Sequence, residues 1–195
     1  MPTILVIEHV PHERLGNLET PLRAAGCALR SLRAWDAKAA WPPVKDVDAI
    51  VSMGGPQSVY QQKQYPYLTR ELTLMREPGA DGDPMWEPFG QTETVFQWHG
   101  DTYSLPKGAV QLARSPLCEQ QAFRFGKNIY ALQFHLEVTE VIVRAWMMNS
   151  GNRKELAALK GKIDPLTIRR QSPQHVARIK ELCDYIARTF AEFIE

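Results

Sequence analysis

No stretch of this chain is apolar for anything near the roughly 20 residues that a membrane span requires. The opening Met1-Pro2-Thr3-Ile4-Leu5-Val6-Ile7 has no basic residues ahead of its apolar run. Neither a spanning helix nor a secretory leader is expected, and no membrane partner, which leaves the cytoplasm as the expected location. Charge of one sign is not in excess either: 23 Lys and Arg against 22 Asp and Glu give a formal net charge of +1. No nucleic-acid partner is expected from that balance. The three cysteines, Cys27, Cys118 and Cys183, are odd in number and form no C-x-x-C pair. That gives neither a disulfide framework nor a zinc site. Phosphate-cradling G-x-G-x-x-G, internal repeats and low-complexity tracts are all absent, and no cofactor is expected.

What is present is enough chain for one well-cored domain. With 195 residues, 44% of them hydrophobic, we expect a single domain over 1–195, with a helical C-terminal part, 139–195, packed on it. Ile4-Leu5-Val6-Ile7 reads as a buried strand. Leu15, Leu18, Leu22 and Ala25 recur at helical spacing until Gly26, and Cys27 to Leu32 gives a second strand. Trp35 to Val47, with Trp41-Pro42-Pro43, reads as a connection, and Asp48-Ala49-Ile50-Val51-Ser52-Met53 as the third strand. Strand, helix, strand in this order predicts an α/β fold with a parallel sheet and crossover helices.

The third strand, expected over Asp48 to Met53, runs into Gly54-Gly55-Pro56-Gln57-Ser58-Val59. Two glycines at a strand's carboxyl end allow backbone conformations closed to other residues, and their N–H groups could hold an oxyanion. An ordinary Gly-Pro turn has the same sequence. Tyr67 to Glu77 reads as a helix, Pro78 to Pro84 as turn chemistry, and Thr94 to Trp98 as a strand leaving through His99-Gly100-Asp101. His99 could touch a substrate or simply be satisfied by Asp101. Val110 to Ser115, Ala122 to Phe125 and Ile129 to Gln133 read as further strands, the last two joined by a Gly126-Lys127-Asn128 hairpin.

The strongest local signal is Ala131-Leu132-Gln133-Phe134-His135-Leu136-Glu137-Val138-Thr139. Side chains alternate faces in an extended chain, so His135 and Glu137 project the same way, where the carboxylate can fix the tautomer of the imidazole. Alternatively, His135 ends a strand and Glu137 opens the next helix. Thr139 should cap a helix over Val141 to Met148, and Asn152 with Glu155 a short one after it. Ser172-Pro173 should start the longest helix, with Val176, Ile179, Leu182, Ile186, Phe190 and Phe193 as its packing stripe.

Together, Met53 to Val59, Gln97-Trp98-His99-Gly100-Asp101-Thr102, Cys118-Glu119-Gln120-Gln121-Ala122-Phe123 and Gln133 to Thr139 resemble, in the right order, the class I glutamine amidotransferase family. The resemblance is to its stand-alone members related to the amidotransferase domain of GMP synthase. It implies a flavodoxin-like, mostly parallel sheet with flanking helices, and hydrolysis of the glutamine side-chain amide through a cysteine thioester, with ammonia passed to an acceptor. By resemblance His135 is the general base and acid of a Cys-His-Glu triad, Glu137 its orienting partner, and Gly54 and Gly55 the oxyanion loop.

The same resemblance requires a G-x-C-x-G elbow between Glu77 and Thr94, and the chain has none. A strand, elbow and helix need roughly 30 residues, more than the turn-rich connection from Pro78 to Gln91 offers. The expectation is therefore a sheet lacking one central strand-helix unit, and a protein inactive by the family route. A non-catalytic pseudoenzyme that binds a ligand or partner is the alternative, as is a relative acting on γ-glutamyl peptides. Glutamine or a γ-glutamyl compound is the expected small-molecule partner; a protein partner or a homodimer could complete the sheet. Two potential metal ligands at His135 and Glu137 without a third make no metal site.

Overall fold

A computed structural model describes residues 1–57, 63–65, 84–159 and 162–194 of the chain. The helix expected over Tyr67 to Glu77, the turn from Pro78 to Asp83, and Ser58 and Val59 of the glycine motif lie outside these residues. So does the first part, residues 78–83, of the connection in which the elbow was sought.

Strand β1 (Thr3–Glu8) forms the middle of a parallel sheet in the order β2-β1-β3, with β2 (Ala28–Arg33) and β3 (Ala49–Ser52) on its two sides. The register sets Ile4 beside Leu29 and Ala49. Ile4, Leu5, Val6 and Ile7 are at most 1% exposed, because successive side chains enter apolar layers on opposite faces. Ile4 and Val6 join Leu15, Leu22, Cys27, Met53, Ala187 and Ala191, whereas Leu5 and Ile7 join Leu32 and Ala34. At ~1.5–3 kcal/mol for each large side chain, this strand alone anchors the sheet. Helix α1 (Glu19–Ala24) crosses between β1 and β2 after a 3-10 turn at Gly16–Leu18, and stops at Gly26, whose φ is +83°.

The other described strands form a separate antiparallel sheet in the order β4-β5-β6: β4 (Ala109–Ala113), β5 (Ala122–Phe125) and β6 (Ile129–Leu132). Gly126, at φ +59°, makes the expected hairpin. The strand expected over Thr94 to Trp98 reduces to one antiparallel bridge, Phe96 with His135. Its alternation was real, since Phe96 is buried, yet only one residue finds a ladder partner.

Three helices follow. Helix α2 (Glu140–Met148) begins as expected, with the Thr139 hydroxyl accepting from the Ile142 N–H at 3.2 Å. Helix α3 (Ser150–Ala158) starts earlier than expected because Asn149, not Asn152, caps it, accepting from Gly151 and Asn152. Helix α4 (Pro165–Glu192) also corrects the expectation: Pro165 occupies its first turn, Asp164 accepts from the Leu166 N–H, and Pro173 lies inside the helix. Proline at the first position costs no hydrogen bond, so Asp164-Pro165, not Ser172-Pro173, starts this helix. Pro173 removes one donor, and the Ser172 hydroxyl donates to the Ile168 carbonyl at 2.7 Å in the same turn. No described helix is long and apolar enough to cross a membrane.

The buried stripe of α4 joins both halves. Ile179, Leu182, Cys183 and Ile186 pack with Phe134, Leu136, Val138, Val143 and Trp146, and Ala187 and Ala191 pack with β1. Arg178 reaches from α4 to the Glu93 carboxylate at 2.5 Å and the Pro88 carbonyl at 2.7 Å, pinning the segment that leads to Phe96. The Tyr185 hydroxyl donates to Glu87 at 2.8 Å on the same segment.

Candidate active site

The carboxyl ends of parallel strands, where side chains and loops converge outside the sheet, are the natural place for a site. Here β1 ends in Glu8 and His9, both 6% exposed, and β3 ends in Met53-Gly54-Gly55. The Met53 N–H donates to the Ile7 carbonyl at 2.9 Å. His9 Nδ1 lies 2.8 Å from the Met53 carbonyl, so the first loop and the glycine loop are fastened together.

His135 is held by three independent contacts. Its N–H donates to the Phe96 carbonyl at 2.8 Å, which fixes the backbone. Its Nδ1 lies 2.7 Å from Glu137 Oε1, the same-face contact the two-residue spacing predicts, and the two side chains are 15% and 12% exposed. Its ring meets Trp146 edge to face, with centroids 4.8 Å apart and planes at 84°. Glu137 is thus neither a helix cap nor solvated, and the reading of the pair as a strand end and helix start is not what the fold adopts.

Burial pushes the His135 imidazole down. The hydrogen bond and charge of Glu137, then the charge of Glu13 and the Trp98 carbonyl, outweigh it and leave the ring more basic than an ordinary histidine. The geometry directs Nδ1–H at Glu137, the arrangement that stabilises the imidazolium when a triad histidine takes up a proton.

The glycines matter for space rather than for dihedral freedom. The described glycines at positive φ are Gly16, Gly26, Gly108 and Gly126, so the unusual backbone expected of Gly54 and Gly55 is not what they adopt. A β-carbon on Gly54 would sit 2.6 Å from Glu13 Oε2 and 3.8 Å from His135 Cε1; one on Gly55 would sit 2.8 Å from His9 Cβ. Gly55 has no room for a side chain beside His9 of the first loop, whereas the neighbour at Gly54 is the movable end of Glu13 on the same loop.

That loop supplies residues that no sequence motif marked. Glu13 has a side chain 17% exposed, and its carboxylate is 3.9 Å from His12 Nε2. Burial raises its affinity for a proton against the opposing charge of His135. The His12 carbonyl accepts from Trp146 Nε1 at 3.1 Å. The Asn17 N–H donates to the Glu137 carbonyl at 2.9 Å and its side chain to the Val138 carbonyl at 2.9 Å. Gly16, at φ +51°, makes this approach possible: a β-carbon there would lie 2.1 Å from the Glu137 oxygen. The one available signal was position, since residues 9 to 13 follow a buried parallel strand.

His99 is brought elsewhere. It is exposed, with Nδ1 3.0 Å from the Asp101 carbonyl, and borders a cavity of about 650 Å3 with Thr102, Tyr103, Leu117 and Cys118. Asp101 does satisfy it, through its backbone rather than its carboxylate. Cys118 Sγ lies 3.3 Å from Thr102 Oγ1 and 3.5 Å from Gln133 Oε1. Cys27 and Cys183 are buried, and burial, reinforced by the Glu137 charge, pushes the Cys183 thiol far above the ordinary range. Among the described residues, no group of three or more His, Cys, Asp or Glu side chains converges to hold a metal ion.

No family model matches the chain. It is 35% identical over 79 residues to the glutamine amidotransferase-like protein YfeJ of Salmonella typhimurium, a match covering 40% of this chain and 32% of that protein. It is also 33% identical over 91 residues to the glutamine-hydrolyzing GMP synthase of Brachyspira hyodysenteriae, covering 46% of this chain and 16% of that one. The matches thus span about a third or less of these relatives' length. In three dimensions a glutamine amidotransferase from Thermotoga maritima superposes with a TM-score of 0.82 at 24% identity, over 98% of both chains, which shows a shared fold.

Proposed function

From a chain that resembles the class I glutamine amidotransferases in fold throughout and in sequence over somewhat less than half of its length, we propose a protein that binds glutamine or a γ-glutamyl compound at the His135 crevice without forming the family's thioester. The observation that carries this reading is the contact of 2.7 Å between His135 Nδ1 and Glu137 Oε1 at the carboxyl edge of the sheet, beside Gly54. It is the base half of a triad. A thioester needs a thiolate within hydrogen-bond reach of that histidine. Two of the three cysteines are buried in apolar layers and the third borders the separate cavity at His99. Neither these positions nor the sequence supplies a strand-turn-helix cysteine. A protein partner, a single domain with a packed helical C-terminal part and a cytoplasmic location belong to the same proposal.

Titration calorimetry with glutamine tests the binding, and hydroxylamine tests the chemistry. The expected result is saturable binding, weakened at least about tenfold in His135→Ala, with no hydroxamate formed from an acyl-enzyme. Formation of γ-glutamyl hydroxamate that is lost in His135→Ala would show a working thioester route and overturn the reading.

A further inference from the structure

Glu13 stands where none of the sequence motifs placed a functional group. It enters from the loop after β1, and its Oε2 and His135 Cε1 lie 2.6 and 3.8 Å from one point, the place a β-carbon on Gly54 would take. A carboxylate and an imidazole thus flank the same short stretch of the glycine loop, and Glu137 braces the imidazole from behind. We propose that Glu13 and His135 form an acid–base pair that hydrolyses the γ-glutamyl amide directly with water, with no acyl-enzyme. The inference rests on the binding of a γ-glutamyl compound at this crevice and adds an activity to it.

The chemistry balances without a thiol. The Glu13 carboxylate takes a proton from water as the water oxygen bonds to the amide carbon. The carbonyl electron pair moves to its oxygen beside Gly54 and Gly55. Collapse of this intermediate reforms the carbonyl and breaks the C–N bond. The His135 imidazolium gives its proton to the departing nitrogen, and the proton held by Glu13 then returns to His135. Water and an amide become a carboxylic acid and ammonia or an amine. Carboxyl pairs sharing protons are known to activate water for amide hydrolysis, so a covalent nucleophile is not a requirement of the reaction.

The resting charges fit these roles. Glu137 and Glu13 both favour the protonated imidazole, and burial makes Glu13 a stronger base than a free carboxylate while His135 opposes the shift. The groups around the pair are His9 and His12 on the loop of Glu13, Glu137 beyond His135, Cys183 behind Glu137 from α4, and the uncharged rings of Trp146 and Phe96. Glu13 therefore takes the base role at attack that the thioester scheme gives to His135, and His135 serves as the acid when the C–N bond breaks.

The test uses the full chain with glutamine and with γ-glutamyl-p-nitroanilide, measuring ammonia or p-nitroaniline alongside calorimetric binding. The expected result is slow turnover, at least about 100-fold lower in Glu13→Gln, partly recovered in Glu13→Asp, and unchanged in Cys118→Ser or after alkylation of accessible thiols. Circular dichroism confirms that Glu13→Gln folds, and its glutamine binding should stay within about threefold. Binding without turnover overturns this inference and leaves the binding reading standing. Loss of turnover in Cys118→Ser, hydroxamate formation, or undiminished turnover in Glu13→Gln also overturns it. Absence of binding overturns both.

Discussion

Trp146 joins two parts of the site that are distant in sequence: its indole and the His135 ring meet in a T-shape with centroids 4.8 Å apart, and its Nε1–H donates to the His12 carbonyl at 3.1 Å. One buried side chain on α2 therefore sets both the orientation of the imidazole and the path of the loop carrying Glu13. Its place in a helix was readable from the sequence, and this bridging part was not.

Trp146→Phe keeps an aromatic face but loses the donor, leaving the His12 carbonyl without its partner. The expected cost is ~1–3 kcal/mol. Trp146→Ala should cost ~3–5 kcal/mol by leaving a cavity beneath His135. Urea denaturation measures both, and a smaller effect for Ala than for Phe would contradict this packing.

The protonation of His135 gives a second expectation. Its pKa is raised in the fold, so the native state binds the proton more tightly than the unfolded chain. The stabilisation is present in full below the ordinary histidine value near 6.5 and is lost as pH rises through the raised value. In Glu137→Gln the main partner opposing burial is gone, and the His135 midpoint followed by NMR should fall below that of the wild-type protein. A midpoint that stays or rises would show that Glu137 does not hold the ring.

Gly16 and Gly54 should respond differently to a methyl group. Gly16→Ala meets backbone, the Glu137 carbonyl at 2.1 Å, at a positive φ. The conformational term alone is ~1–2 kcal/mol, and the loop must also move. The Asn17 amide, which donates to that carbonyl, should lose hydrogen-exchange protection. Gly54→Ala meets the far end of the Glu13 side chain, which can swing away. Its melting temperature should change little while glutamine binding weakens.

Thiol labelling separates the three cysteines. Cys118 borders a cavity, whereas Cys27 and Cys183 are 4% and 0% exposed. In native protein one thiol per chain should react with an aromatic disulfide on the seconds-to-minutes scale, and the other two only as the protein unfolds. Fast labelling of all three would contradict the packing of α4.

Where the sequence was legible, one residue's neighbours were its own chain neighbours. The run Ile4 to Ile7 declared a buried strand, Gly26 a helix end, Thr139 a cap, and the two-residue step from His135 to Glu137 a shared face. The readings that shifted depended on competition. Pro173 looked like a helix start because proline usually is one, but Asp164-Pro165 upstream offers a better start, and packing of Ile179 to Ile186 holds the helix through the interior proline. Thr94 to Trp98 has a strand's pattern but only one ladder partner. Gly54 and Gly55 were marked by composition, and the reason for them lay in Glu13 and His9, about 40 residues earlier in the chain. Glu13 itself carried no motif, because its relation to His135 is made entirely by the loop that Gly16, Asn17 and Trp146 pin down.

The shared core of β1 and α4 bears on how the chain comes off the ribosome. Ile4 and Val6 are made well before Ala187 and Ala191, which complete their layer from ~180 residues further along the chain. Until α4 emerges, one face of the central strand is only partly covered, and the wall behind Trp146 and Glu137 lacks Leu182 and Cys183. Nascent chain of this protein should therefore stay open to chaperones until α4 has been made. Completion of α4 is then the event that closes the first strand and the site in a single step.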